Sequence, residues 1–196
     1  NEHKLKFTHY RVSEEPTPGI VDEGVRQAIL LDPDVVVSIG GGSVLDAGKA
    51  ISAMTPLNES VREYLEGVGQ KAHPGVKTPF IAVPTTAGTG SEAARNAVLS
   101  EIGPNGYKRS LRHNNFVSNV GIVDPDLTLS CPPATTAASG MDAFTQLLES
   151  FLSRAGNPVT DALAQQGLHQ VTSSLMQAYL DPDSIAARTG MALGSY

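Results

Sequence analysis

Two glycine-rich loops hold the residues of this chain whose types and spacing could do chemistry. The first runs Gly40-Gly41-Gly42-Ser43-Val44-Leu45-Asp46-Ala47-Gly48-Lys49 and is entered from Val35-Val36-Val37-Ser38-Ile39. The second runs Pro84-Thr85-Thr86-Ala87-Gly88-Thr89-Gly90-Ser91-Glu92 and is entered from Phe80-Ile81-Ala82-Val83. Glycine lets a backbone turn sharply and come close to a ligand, and a helix that follows presents free N–H groups to an anion. Two such loops at the carboxyl ends of strands imply a phosphate-bearing cofactor lying across the edge of an α/β sheet.

Neither loop matches a general fingerprint outright. A Walker A loop needs Gly where Ser43 stands and Ser or Thr where Ala50 stands. The dinucleotide pattern fails in the first loop, where Leu45 holds the third glycine position. The second loop reads Gly88-x-Gly90-x-x-Ala93, a permitted but short variant. Taken singly, either loop reads equally well as a tight turn. Together, with Ser43, Asp46, Thr85, Thr86 and Thr89 concentrated in them, they favour phosphate binding. Asp46 has a second reading, as a carboxylate that caps the N–H groups of its own helix. Lys49 reads as a solvated or structural side chain rather than a phosphate ligand.

The elements that must position these loops follow from periodicity. Leu5–Val12 alternates loosely and reads as a strand. Thr17-Pro18 gives an N-cap followed by proline at the first helical position, and Ile20, Val21, Val25, Ile29 and Leu30 continue at helical spacing. Asp32-Pro33-Asp34 ends that helix. Val35–Ile39 is β-branched at four of five positions and suits a strand buried on both faces. Ser43–Met54 is the next helix, and Phe80–Val83 the next buried strand. Ala97–Leu99 and Lys108–Leu111 flank Pro104-Asn105-Gly106 as a hairpin, and Val120–Val123 is the last strand. Beyond Pro132-Pro133 the pattern is helical: Ala134–Ser153, Pro158–Leu180 and Ser184–Tyr196. The fold class is therefore α/β, a Rossmann-like parallel sheet domain over residues 1–127 followed by an incomplete all-helical domain over 128–196.

Composition narrows the function classes. A net charge of −6 and a pI near 5.3 exclude the basic face that nucleic acid requires. No apolar run is long enough to cross a bilayer, and the opening Asn1-Glu2-His3-Lys4-Leu5-Lys6 is not a signal peptide. The lone Cys131 cannot form an internal disulfide and fits a reducing cytosol. A cytoplasmic protein acting on a small molecule is expected.

The ordered landmarks of the chain resemble the iron-containing (group III) alcohol dehydrogenases. Beyond the two loops they include Ile122-Val123-Asp124-Pro125-Asp126-Leu127-Thr128, Pro132-Pro133, Gly140-Met141-Asp142-Ala143-Phe144-Thr145 and Asn157-Pro158-x-Thr160-Asp161-Ala162. The resemblance implies NAD or NADP as cofactor, a divalent metal (Fe or Zn), and reversible hydride transfer between an alcohol or aldehyde and the nicotinamide. It also implies a homo-oligomer such as a dimer. It assigns the pyrophosphate to Gly41, Gly42, Ser43 and Asp46, hydroxyl contacts to Thr85 and Thr89, and the cofactor ribose to Lys108. Read without the family, Lys108 is a solvated hairpin residue. Ala94 replaces a threonine common in the family. The family's metal ligands begin with Asp and His four residues apart on one helix face; Asp142 matches the first, and Gln146 replaces the His. Two further His ligands would follow in a full-length member, and His3, His9, His73, His113 and His169 are not at equivalent places. The chain is expected to be part of a longer protein. No catalytic residue is singled out. Two alternatives stand beside the dehydrogenase: a dehydroquinate-synthase-like lyase of the same superfamily, and a non-catalytic nucleotide-binding piece.

Overall fold

The computed structural model describes residues 5–196. Helix α1 spans Pro18–Leu31; the Thr17 hydroxyl accepts from the Ile20 N–H at 3.2 Å, and the helix stops at Asp32, whose φ of 49° is left-handed. Strand β1 (Val36–Gly40) leads into α2 (Gly42–Met54), and β2 (Phe80–Pro84) leads into the second glycine loop. The hairpin forms as expected, with β3 (Asn96–Glu101) antiparallel to β4 (Tyr107–Arg112). Strand β5 (Val120–Gly121) precedes the helices α3 (Pro133–Phe151), α4 (Pro158–Leu180) and α5 (Ile185–Ser195). Asn157 and Thr160 close a reciprocal capping box at the start of α4, which fixes that boundary at the expected proline.

The parallel sheet has the order β1-β2-β5, and β1 and β2 pair in register from Val36 with Phe80 to Gly40 with Pro84. Both strands therefore end level, and both glycine loops leave from the same edge. The main core lies between α1, α2 and the hairpin, where Val21, Val25, Met54, Leu65, Leu99, Leu111 and Phe116 are buried together. A second cluster, around Ala143, Val171, Ala178 and Met191, joins the three C-terminal helices.

Three expectations are corrected. Leu5–Val12 is not a strand: the segment has no ladder partner, Leu5 and Phe7 are exposed, and a cavity of about 260 Å³ separates Thr8, Tyr10 and Val12 from Val37 and Ile39 of β1. An extended segment becomes a strand only when another edge supplies its hydrogen bonds. Second, β1 is buried on one face only. Ser38 and Gly40 point under α2, while Val37 and Ile39 are 50% and 63% exposed on the opposite face. Third, the last strand is shorter than Val120–Val123. Only Val120 and Gly121 pair with β2, and after Ile122 donates to the Ala82 carbonyl the chain turns away at Asp124-Pro125.

Candidate functional site: a cleft between two glycine loops

The two loops meet. A Cβ built on Gly42 would lie 2.7 Å from Thr89 Cγ2 and 2.9 Å from its Oγ1, and one on Gly41 would lie 3.3 Å from Thr86 Cγ2. Only a residue without a side chain lets the start of α2 come this close to the second loop. At the root of the contact the Thr85 N–H donates to the Gly40 carbonyl at 2.9 Å. On its far side the second loop seats on α3, where a Cβ on Gly88 would fall 2.5 Å from the Ser139 carbonyl oxygen.

Over this junction opens a cavity of about 560 Å³. Its floor is Gly41, Gly42, Ser43 and Asp46 of the first loop, with Thr86 and Thr89 of the second. One wall is Glu14, Glu15 and Lys108; the other is α3, through Thr135, Ser139 and Asp142. The α2 N-terminus enters the floor at Gly41 with no side chain capping it, so its first-turn N–H groups keep their affinity for an anion.

The charged groups are tied to specific partners. Asp46 does not cap its own helix. Its Oδ1 accepts from the Ser91 hydroxyl at 2.5 Å and its Oδ2 from the Val98 N–H at 3.1 Å, so it bridges α2 to the second loop and to β3. Burial pushes the Asp46 carboxyl up, against the pull of those two donors and of Lys49 and Lys108. Lys49 is structural rather than solvated: it is 1% exposed and donates to three loop carbonyls. Lys108 donates to Glu15 at 2.8 Å, and Glu15 also accepts from the Ser100 hydroxyl at 2.7 Å. The bond from Lys108, then that from Ser100, holds the Glu15 carboxyl below the usual range.

The chain's affinities with known proteins agree with this geometry. A family model for iron-containing alcohol dehydrogenases matches residues 1–125, and one for the C-terminal part of the same family matches residues 136–196. The chain belongs to the iron-containing alcohol dehydrogenase family. It is 38% identical over 184 residues to alcohol dehydrogenase 4 of Saccharomyces cerevisiae, covering 93% of this chain and 47% of that protein. It is 38% identical over 163 residues to long-chain-alcohol dehydrogenase 1 of Geobacillus thermodenitrificans, covering 83% and 40%. Its fold superposes on sulfoacetaldehyde reductase from Bifidobacterium kashiwanohense, a structure in complex with NAD+, with a TM-score of 0.88 and 36% identity over 93% of this chain and 48% of that one. The chain thus spans about half the length of the curated relatives it matches.

Within this family member, the cleft brings together Gly41, Gly42, Ser43, Asp46, Thr89, Lys108 and Asp142. Thr85 lies at the strand end instead, and Thr86 takes the place in the floor. Glu15 was not singled out by its sequence neighbourhood, since a lone Glu before Pro16 carries no motif; only the fold sets it against Lys108. Asp142 and Gln146 share one face of α3, but the Gln146 amide donates its N–H to Asp142 Oδ2 at 2.9 Å. The amide oxygen of Gln146 is a harder and weaker donor than the imidazole nitrogen it replaces, so this pair favours a transition metal less than Asp and His would. Among the described residues no group of three or more His, Cys, Asp or Glu converges on a common point. The helices of the described residues include none long and apolar enough to cross a membrane.

Proposed function

We propose that this chain is the dinucleotide-binding region, with the beginning of the substrate and metal region, of an NAD(P)-dependent alcohol dehydrogenase. Residues 1–127 form the first part and 128–196 start the second. The observation that carries the reading is the pair of glycine loops leaving level ends of adjacent parallel strands and touching at Gly42 and Thr89 over the cavity. The NAD+ complex of the Bifidobacterium kashiwanohense reductase supports it.

In this reading the N–H groups at the start of α2 and the Ser43 hydroxyl hold the pyrophosphate, with Gly41 and Gly42 giving it room. Asp46 fixes the second loop, so that Thr89 and Thr86 present hydroxyls to the cofactor. Lys108, held by Glu15, donates to a ribose hydroxyl. When bound, the nicotinamide supplies the hydride acceptor and donor for an alcohol or aldehyde carbon. Asp142 lines the cleft from α3. The whole protein is read as a cytosolic homo-oligomer, and the apolar residues Met141, Leu163, Met176 and Leu180 exposed on α3 and α4 are faces left for further helices of the substrate and metal region to cover.

The test is calorimetric titration of the chain with NAD and with NADP. Saturable binding of at least one, lost on Gly42→Val, is expected. Absence of binding of both by the folded chain overturns the reading.

A further inference from the structure

Lys49 is the largest fully buried side chain in the described structure, and no carboxylate touches its ammonium. Its Nζ donates to the carbonyls of Ser91 at 2.5 Å, Ala94 at 2.8 Å and Asn96 at 2.9 Å, with the Ser91 hydroxyl oxygen at 3.3 Å. An ammonium has three N–H donors and no acceptor, so the three carbonyls saturate it. All three belong to the arm that runs from the second glycine loop into β3. The Ser91 hydroxyl links this cage to Asp46, one turn earlier on α2. The loop's other backbone bonds between Gly90 and Ala94 are local, from Ala93 and Ala94 to Gly90 and Ser91. The polar ties of this arm to α2 are therefore those of Lys49 and Asp46.

We infer that the Lys49 ammonium is a positioning group for dinucleotide binding, a buried cation that gathers three loop carbonyls and thereby sets the second glycine loop at its distance from the first. The inference rests on the proposed dinucleotide reading of the cleft. An apolar side chain of the same length would fill the volume but take its donor from all three carbonyls, leaving Ser91 only the longer bond from the Ala94 N–H at 3.3 Å, and the arm would move to find water.

The charged groups around Lys49 are Asp46 on its own helix, Glu92 on the loop and Lys77 ahead of β2. Burial pushes the ammonium down to about 8, opposed by Asp46 and Glu92 and assisted by Lys77. Above that pH the neutral amine keeps two N–H donors for the three carbonyls. Between about 8 and the ordinary lysine value of 10.5 the unfolded chain holds a proton that the fold has shed, and stability from this group rises with pH. An opening of the arm that returns the amine to water follows the same linkage, so it too becomes rarer as pH rises through this range.

The experiment uses the 196-residue chain, Lys49→Met and Lys49→Ala. Backbone hydrogen exchange over residues 85–95, corrected for intrinsic rate, is measured without ligand at pH 7 and 9, and NAD affinity alongside. Faster exchange in Lys49→Met, and slower corrected exchange in wild type at pH 9 than at pH 7, are expected, with NAD affinity of Lys49→Met about tenfold weaker, as for one lost charge-assisted hydrogen bond. In Lys49→Ala, ethylammonium should restore exchange protection and affinity, while tetramethylammonium, which has no N–H donor, should not. Unchanged exchange in Lys49→Met, or equal effects of the two cations, overturns the inference. If both variants fail to fold, the wild-type pH series decides, and flat exchange between pH 7 and 9 refutes it. If wild type does not bind NAD, the dinucleotide reading fails, and the exchange data still decide whether Lys49 holds the loop.

Discussion

The contact between Gly42 and Thr89 makes a quantitative prediction. In Gly42→Ala the new Cβ would sit 2.7 Å from Thr89 Cγ2, 2.9 Å from Oγ1 and 3.2 Å from Cβ. Carbon atoms rest at about 3.5–4.0 Å, so one side must move by about 1 Å. Overpacking of this kind costs about 1–3 kcal/mol, and the helix gains back up to about 1 kcal/mol on losing a glycine. The Thr89 side chain is exposed while Gly42 stands on a helix packed into the sheet, so Thr89 is the side that yields. Global stability should fall by about 1 kcal/mol. Dinucleotide affinity should fall about 10–100-fold, because a hydroxyl displaced by 1 Å loses a hydrogen bond worth about 1.5–3 kcal/mol to a charged group. Thr89→Ala removes Cγ2 and Oγ1 and leaves only the 3.2 Å contact. In a double-mutant cycle read by chemical denaturation, the two substitutions should therefore couple favourably by about 1 kcal/mol. Additivity within error, or a loss of stability as large as the loss of affinity, refutes the reasoning.

Further outcomes follow from other contacts. Gly88→Ala places a Cβ against the backbone of Ser139, which cannot rotate away, so thermal denaturation should show a loss of at least about 2 kcal/mol; a neutral variant would mean that the loop does not dock on α3. Asp46→Ala strips the Val98 N–H of its acceptor and should cost about 1–3 kcal/mol by chemical denaturation, whereas Asp46→Asn keeps one amide oxygen and should cost less. Because burial raises the Asp46 carboxyl, its ionisation should lower stability as pH rises through its folded value, and Asp46→Asn should flatten that part of the stability–pH profile. Gln146→His replaces an amide donor facing Asp142 with a neutral imidazole, and zinc affinity measured by calorimetry should rise at least tenfold and fall again on adding Asp142→Ala. With simple alcohols, the 196-residue chain by itself should give no appreciable NADH formation in a spectrophotometric assay.

Local chemistry was legible in the sequence wherever the structure depends on nearby residues. Thr17-Pro18 and Asn157-Pro158 start helices because a hydroxyl or amide reaches N–H groups two or three residues on, and the Pro104-Asn105-Gly106 turn closes its hairpin for the same short-range reason. The two loops were legible as a pair because glycines and hydroxyls cluster at strand ends. Misreadings occurred where distant chain decides. The β-branched run of β1 states that the strand is apolar, not that both faces find a cover, and Val37 and Ile39 remain open because α2 packs on one side only. Leu5–Val12 has strand composition but stands off the open edge of β1, with a cavity between them. A lysine in a helix pattern reads as surface by default, and only the carbonyls of residues 91–96, more than forty positions away, take Lys49 inside.

The spacing of Ser43, Asp46 and Lys49 then has a geometric reason. Each step of three residues along an α-helix turns the side chain by about −60° from its predecessor and advances it by about 4.5 Å. Three polar residues so spaced spiral slowly across one face of α2, from the open cleft toward the sheet. Ser43 stands half-buried in the floor of the cavity, where an anion can reach it. Asp46 comes next, still lining the cavity but with both oxygens taken by the second loop and β3. Lys49 ends the series out of reach of solvent, beneath the loop it gathers. A spacing of four would turn the face the other way and carry the third residue off the loop. The same helix that offers its N-terminus to a ligand thus also fixes the loop that closes over it, and the motif's interval of three is what lets one helix do both.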